Sequence, residues 1–248
     1  MKNFNEWLST RYPGAKIIKL ADLAEKIVGV SKVRVTDNRT ITDYCEVSLE
    51  NIKNGIVTIP DETNKFGPAN ASALKQQSLQ VSDLVLSRRP RLLTVGLVDR
   101  VYDRPIIANN GMIRITFPED RKKYIPLFVL EYLKTPQVQQ YLETLSSGAK
   151  SLLSAKTLAE LPIPIFNENE LKILIHEIEA QKKLEYELNI MNESKKELDN
   201  LTSSLIADAL FTSSERFDTS HILHKLQNIN KDIESTLHDM RLLNKNNL

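Results

Sequence analysis

The sequence is poor in cysteine, glycine and aromatic residues. Its single cysteine, Cys45, excludes an internal disulfide and any multi-cysteine metal site. Seven glycines in 248 residues argue against a loop-rich or barrel-only protein, and aromatic residues make up only 6% of the chain. No stretch approaches the roughly 18–20 apolar residues of a membrane-spanning helix, and no apolar signal-peptide run follows Met1. We therefore expect a cytoplasmic protein with no membrane association.

Enzyme signatures are also missing. The sequence contains no GxxxxGK[ST] or GxGxxG glycine loop and no Asn-Pro-Pro-Tyr type motif of an adenine methyltransferase. Asp83 and Glu50 could be imagined as a nuclease pair, but no lysine lies at a matching short spacing. His221 and His224 could share a helix face, yet Asp218 is the only further ligand nearby. We expect no catalytic residue, no metal and no cofactor on this chain.

The net charge of +1 conceals an asymmetry along the chain. Residues 1–166 carry 23 basic and 17 acidic residues, a net charge of +6. Residues 167–248 carry 10 basic and 15 acidic residues, a net charge of −5. The first part could therefore attract phosphates, whereas the second would avoid them. This division predicts two domains, 1–166 and 167–248, with different tasks.

The first two-thirds of the chain predict a mixed α/β domain. Lys16–Val28 begins with a short apolar stretch and continues with the helical spacing of Leu20, Leu23, Ala24 and Ile27. Asn54-Gly55 is a strong turn signal before a short strand. The other predicted strands are Thr40–Leu49, Val81–Ser87, Leu92–Val101 and Met112–Phe117, and the predicted helices are Tyr124–Tyr132 and Pro136–Leu145.

The second part predicts long helices. Pro162 and Pro164 exclude a helix at 161–165 and favour a stiff, extended connector. From Asn167 onward there is neither glycine nor proline, and Asn167 is a suitable N-cap for a helix of about 168–211. A second helix is expected at about 219–243, and its apolar stripe consists of Ile222, Leu226, Ile229, Ile233, Leu237 and Met240.

The first long helix carries a coiled-coil seam. Its apolar members are Leu184, Leu188, Met191, Leu198 and Leu205, with the polar Lys195 and Thr202 filling two positions. A helix of this length cannot bury such a stripe alone, so it needs a partner. That partner is either the second helix of the same chain or the helix of another chain, and the sequence leaves both open.

Four segments together resemble the specificity subunits of Type I restriction–modification systems. They follow one another in the order and spacing of a target-recognition domain, and the last leads into a long helix, as in the family. Two departures are Arg89-Pro90-Arg91, where the family often has glycine, and Glu170-Leu171, where it has a Glu-Gln pair. The four segments are Lys16–Leu23, Val47–Gly55, Asp83–Arg88 with Val95–Val98, and Gly148–Pro164.

This resemblance implies an α+β protein in which a mixed α/β target-recognition domain is followed by long coiled-coil-forming helices. It also implies a non-catalytic subunit that binds double-stranded DNA and directs a DNA adenine methyltransferase. That partner would carry S-adenosylmethionine, and a restriction subunit is a further candidate partner. Family members usually have two recognition domains and two helical spacers. One of each here resembles half a subunit, so we expect a homodimer joined through the helices.

Basic residues of the first domain are the candidate DNA contacts. Arg88, Arg89 and Arg91 form the densest cluster, and arginine can hold phosphates or grip a guanine edge with two hydrogen bonds. A solvated surface loop is the alternative reading of this cluster. The remaining candidates are Lys150, Arg100, Arg104 and Lys65.

A function of another class also fits the sequence. A coiled-coil assembly or adaptor protein of a defence system, whose α/β domain binds protein or recruits a different effector, would have the same helices. It accounts less well for the charge asymmetry and for the ordered family segments.

Overall fold

The computed structural model describes residues 4–30, 41–59, 66–90, 93–146 and 152–211, together with seven positions between 224 and 235, all helical. The chain divides into two compact units, Met1–Lys172 and Ile173–Leu248. The helices are α1 (Phe4–Arg11), α2 (Leu20–Leu23), α3 (Ala71–Gln77), α4 (Ile125–Lys134), α5 (Pro136–Leu145), α6 (Ala155–Ala159) and α7 (Glu168–Phe211). The strands are β1 (Lys16–Lys19), β2 (Lys26–Gly29), β3 (Ile41–Val47), β4 (Ile52–Lys53), β5 (Ile56–Val57), β6 (Phe66–Asn70), β7 (Leu84–Ser87), β8 (Val95–Leu97), β9 (Ile106–Ala108), β10 (Met112–Thr116) and β11 (Pro162–Ile165).

The strands of the first unit form three sheets. The largest has six strands in the order β2-β10-β7-β8-β5-β4, and its centre is the antiparallel pairing of β7 with β10 and β8. A second sheet has the order β6-β3-β9, in which β3 and β9 run parallel. The third consists of β1 and β11 alone.

The core of the first unit lies around these central strands. All four residues of β7 are buried, and Ile113 and Ile115 of β10 have no exposed surface. Helix α4 packs against β8 and buries Val129, Leu130 and Leu133 completely. Each such side chain contributes about 1.5–3 kcal/mol to folding when it is fully buried. The sheet is therefore a rigid platform for the loops that leave its ends.

The β1·β11 pair joins the beginning of the first unit to its end. The strands are antiparallel, with Ile18 opposite Ile163, and Leu20 N donates to Leu161 O at 2.8 Å. Pro162 and Pro164 occupy the positions of β11 whose backbone nitrogens face away from β1. Because proline has no N–H, the outer edge of β11 offers no donor to another strand at these two positions. The hydroxyl of the buried Tyr132 donates to the Pro162 carbonyl at 2.7 Å, and burial raises the pKa of that hydroxyl.

Several predicted elements are present in the structure. Helix α5 and helix α7 have the predicted bounds, and the extended connector is β11. Helix α4 begins one residue later and ends two residues later than predicted. The Asn54-Gly55 turn is confirmed, with both residues at positive φ, 53° and 80°. Asn167 caps α7 through a reciprocal pair: Glu170 N donates to Asn167 Oδ1, and Asn167 N donates to Glu170 Oε2.

Other predictions were wrong in detail. The helical spacing in Lys16–Val28 is interrupted, because only Leu20–Leu23 is helical and Ile27 lies in β2. The β-branched pair Ile27-Val28 gains more from pairing with β10 than from one further helical turn. The predicted strand Val81–Ser87 begins only at Leu84, and that in Leu92–Val101 is limited to Val95–Leu97. Strands β6 and β9 and helices α1, α3 and α6 were not predicted.

The predicted seam of α7 is only partly covered. Leu184 and Leu188 are 42% and 39% exposed, and Met191 and Leu198 are half-buried. The most buried described position in this stretch is instead Glu187, at 8%. The side chain of Leu205 and the stripe predicted between Ile222 and Met240 lie outside the described residues.

Candidate functional site

The loop between β7 and β8 is held by one buried serine. Ser87 is 2% exposed, and its backbone N–H donates to Thr94 O at 2.9 Å. Its hydroxyl accepts from Thr94 N at 3.1 Å and contacts Arg89 O at 3.4 Å. A single side chain thus joins both ends of the loop. We call this end of the six-stranded sheet, with Arg88, Arg89 and the turn Asn109–Gly111, the hairpin end.

Arg88 is partly committed to the fold. Its Nε donates to Leu153 O at 3.1 Å, and Leu153 N donates to Arg88 O at 2.7 Å. Leu153 is fully buried, so these two bonds fasten the loop to the segment that precedes α6. Arg88 is half-buried as a result. Its predicted DNA contact stays a prediction, and its replacement would also disturb this attachment.

Arg89 is an exposed cation in the described part of the loop. It lies between the half-buried Arg88 and the buried Pro90. Among the described residues it forms no ion pair with a carboxylate. Its guanidinium therefore keeps its hydrogen-bonding capacity for a ligand. Three further predicted contacts, Arg91, Lys65 and Lys150, lie outside the described residues.

A second exposed turn lies beside this loop. Strand β10 pairs with β7 so that Met112 is opposite Ser87, and the turn Asn109–Gly111 directly precedes Met112. Adjacent strands lie about 4.8 Å apart. The turn and Arg89 therefore emerge next to each other at the hairpin end. This turn was not predicted, although the Asn110-Gly111 dipeptide before an apolar strand is a turn signal.

Arg100 and Arg104 lie at the other end of the same sheet. We call this end, formed by Gln80–Asp83, Asp99–Arg104 and Glu119–Lys123, the opposite end. Arg100 Nε is 3.1 Å from Asp99 Oδ1, and that contact raises the pKa of Arg100. The structure thus does not bring Arg100 together with Arg88 and Arg89, since the length of the β7–β8 hairpin separates them.

Other cations of the opposite end have partners too. Lys122 Nζ is 2.6 Å from Glu119 Oε2, which raises the pKa of the lysine. Lys123 Nζ lies 4.9 Å from the centre of the Tyr124 ring. Arg100 and Lys122 are therefore paired with acids, and Lys123 lies beside an aromatic ring. A shallow cleft of about 450 Å³ lies between Gln80–Ser82 and Glu119–Lys123, and both Lys122 and Lys123 line it.

The opposite end also contains a buried ion pair. Arg114 Nη2 lies 2.8 Å from Asp83 Oδ2, and the two side chains are only 11% and 1% exposed. The same Oδ2 accepts from Gln80 N at 2.7 Å. Burial raises the pKa of Asp83, and the nearby Arg114 charge only partly counteracts this. These contacts give Asp83 a structural role, because they fix the turn that begins β7.

Two absences concern the described part of the chain only. No group of three metal-ligating side chains occurs in it. None of its helices combines the length and the apolar character that a membrane span requires.

Comparison with known proteins gives one kind of match. No protein-family model matches the chain, and no curated protein matches it. The HsdS subunit of Thermoanaerobacter tengcongensis is similar in structure, with a TM-score of 0.53 and 15% identity, over 83% of this chain and 52% of that one. A chain from a structure on complex assembly and conformational transition of the type I R-M system has a TM-score of 0.52 and 14% identity, with the same coverages.

At this identity the likeness concerns the fold. The chain has the α+β fold of these subunits over most of its length, which confirms the resemblance and the fold class expected from the sequence. It spans about half the length of either solved chain.

Proposed function

We propose that this chain recognises a specific DNA sequence and directs a separate adenine methyltransferase of a Type I restriction–modification system to it. The chain supplies no chemistry of its own. S-adenosylmethionine binds to the methyltransferase, and a restriction subunit is a candidate third component. The complex acts in the cytoplasm, where bacterial DNA lies.

The observation that carries the proposal is the exposed Arg89, which pairs with no carboxylate among the described residues, in a loop that Ser87 and Arg88 hold in place. A fixed cation without a carboxylate partner can bind phosphate or a guanine edge without first breaking a contact. The net charge of +6 in residues 1–166 adds attraction for duplex DNA at longer range. The likeness in fold to an HsdS subunit supports the same reading.

Two recognition domains read a two-part site, so we propose that two copies of the chain pair through their helices. Support comes from Leu184 and Leu188, which remain 42% and 39% exposed in the single chain. Pairing of two chains around a two-fold axis predicts a palindromic DNA site with two half-sites.

Selection from a pool of random DNA duplexes tests the recognition role. The full chain is expected to enrich one motif of two inverted half-sites. Co-expression with a Type I modification subunit of the same organism is then expected to methylate adenine within that motif. Enrichment of no motif contradicts DNA recognition, whereas a motif without methylation contradicts only the partnership.

Light scattering tests the homodimer. The unchanged chain is expected to have the mass of a dimer at micromolar concentration, and Leu188→Asp is expected to be monomeric because it places a charge in the seam. Tyr186→Asp is the matched control, since Tyr186 is 63% exposed and lies on the other face of the helix. A monomeric unchanged chain, with and without DNA, contradicts pairing between chains.

A further inference from the structure

The turn Asn109–Gly111 presents one amide to solvent. Met112 N donates to Asn109 O at 3.0 Å, which closes a four-residue turn with Asn110 and Gly111 at its tip. Both tip residues are exposed. The side-chain amide of Asn110 makes no hydrogen bond within the part of the chain that the structure describes. It therefore has two donors and an acceptor available to a ligand.

The neighbouring Asn109 fixes this tip. Its backbone N–H donates to Val47 O at 2.9 Å, and its Oδ1 accepts from Gly111 N at 3.0 Å. Its Nδ2 donates to the carboxylate of Glu46. These bonds join the turn to the end of β3 and also engage the half-buried Glu46 carboxylate. Consequently Asn110 is held on a rigid support, as a group that discriminates between ligands must be.

Two glycines belong to the described surface at this end of the sheet. Among the described residues, a Cβ at Gly29 would meet nothing within 4 Å, and one at Gly111 would meet only Asn109 Oδ1, at 3.5 Å. Gly29 pairs with Ile113 and thus lies at the same end of the sheet. Both glycines thus lack a side chain at the end of the sheet from which Asn110 projects.

The position of the tip suits a DNA groove. The β7–β8 loop with Arg89 and the Asn110 turn leave adjacent strands, which lie about 4.8 Å apart. The major groove of B-DNA is about 12 Å wide and admits two strands side by side. Two such tips could therefore enter one groove together and reach base pairs that are close neighbours.

We infer that the Asn110 amide reads an adenine in the major groove, within the same half-site that Arg89 contacts. Its Oδ1 accepts from the adenine N6 amino group, and its Nδ2 donates to adenine N7, which is a pattern that no other base offers to a single amide. This inference rests on the proposed function and adds to it a base-specific contact.

The test is motif selection with the full chain and three variants. The unchanged chain is expected to enrich an adenine at one position of each half-site. Asn110→Ala should lose the preference at that position by about tenfold or more, while the other positions keep theirs. Asn110→Gln retains the amide one methylene further out and should keep part of the adenine preference. Asn169→Ala, at an exposed asparagine in the first turn of α7, is the matched control and should select the unchanged motif.

The outcomes separate this inference from the proposed function. If the unchanged chain and Asn110→Ala enrich the same motif, the inference is wrong and DNA recognition stands. A uniform fall in affinity without a change of motif would assign Asn110 to the phosphate backbone and would also overturn it. If the unchanged chain selects no motif, both fail. Unchanged thermal unfolding of Asn110→Ala would verify that the variant is folded.

Discussion

The two ends of the six-stranded sheet carry cations of the same kind in different surroundings. At the hairpin end, Arg89 is exposed and no described carboxylate pairs with it. At the opposite end, Arg100 and Lys122 are paired with acids adjacent or three residues away, and Arg114 is buried against Asp83. The number of basic residues therefore does not identify the face that can bind an anion. The position of the acids identifies it.

This difference separates two uses of positive charge. A buried arginine that compensates a buried carboxylate serves folding, because either group alone would be costly in the interior. An exposed arginine on a fixed loop contributes little to folding and remains available for binding. Substitutions at the opposite end should therefore change stability, whereas substitutions at the hairpin end should change DNA affinity.

The largest effect is expected for Arg114→Met. This substitution leaves the Asp83 carboxylate buried without its partner, so it should lower the free energy of unfolding by about 3–5 kcal/mol at neutral pH. Urea unfolding followed by the fluorescence of Trp7, the single tryptophan, measures it in the first unit. Arg100→Met at the exposed pair is the matched control and should leave the unfolding curve unchanged. Equal stability of Arg114→Met and the unchanged protein would show that this ion pair does not hold the opposite end together.

A smaller effect is expected for Arg89→Ala, and it concerns binding. Loss of one phosphate or guanine contact should weaken binding to the selected duplex by about 1–3 kcal/mol and, for a phosphate, reduce the salt slope by about one. Fluorescence anisotropy at several salt concentrations measures both quantities. Arg100→Ala removes the same charge at the opposite end and should weaken binding less. If Arg100→Ala weakened binding more than Arg89→Ala, the DNA-binding face would lie at the opposite end.

The sequence predicted the elements whose signals are local. The N-cap at Asn167, the prolines of β11 and the first-turn Pro136 of α5 all act within a few residues, and the elements they predict are present. The pairing of β1 with β11 joins residues about 145 positions apart, and no local pattern contains it. Strand β2 was missed because its four residues gain their stability from β10, which is distant in sequence.

The candidate site followed the same rule. The Arg88-Arg89 cluster was visible in the sequence, but the hydrogen bond from Arg88 to Leu153 was not, since it links residues 65 positions apart. For the same reason the separation of Arg100 from Arg88 and Arg89, at the two ends of the β7–β8 hairpin, could not be predicted, although its partner Asp99 is adjacent in sequence. Which basic residues share a surface depends on strand order, and strand order is a long-range property.

The smallest effect is a pH dependence at Asp83. Burial raises the pKa of this carboxyl in the folded chain above its ordinary value of about 3.9. At a pH between the unfolded-state pKa and the higher folded-state pKa, the folded state binds more protons than the unfolded state. The stability contributed by Asp83 is therefore fully present below the unfolded-state pKa and decreases as the pH rises through the folded-state pKa. Asp83→Asn cannot titrate at this position, and all other groups cancel between the two proteins. The stability of the unchanged protein relative to Asp83→Asn should therefore increase as the pH is lowered from 7 towards 4, measured as the difference between their urea unfolding curves. A difference that decreases on acidification would mean that attraction by Arg114 outweighs the cost of burial. In that case the opposite end would be held by its charges in the ionised state.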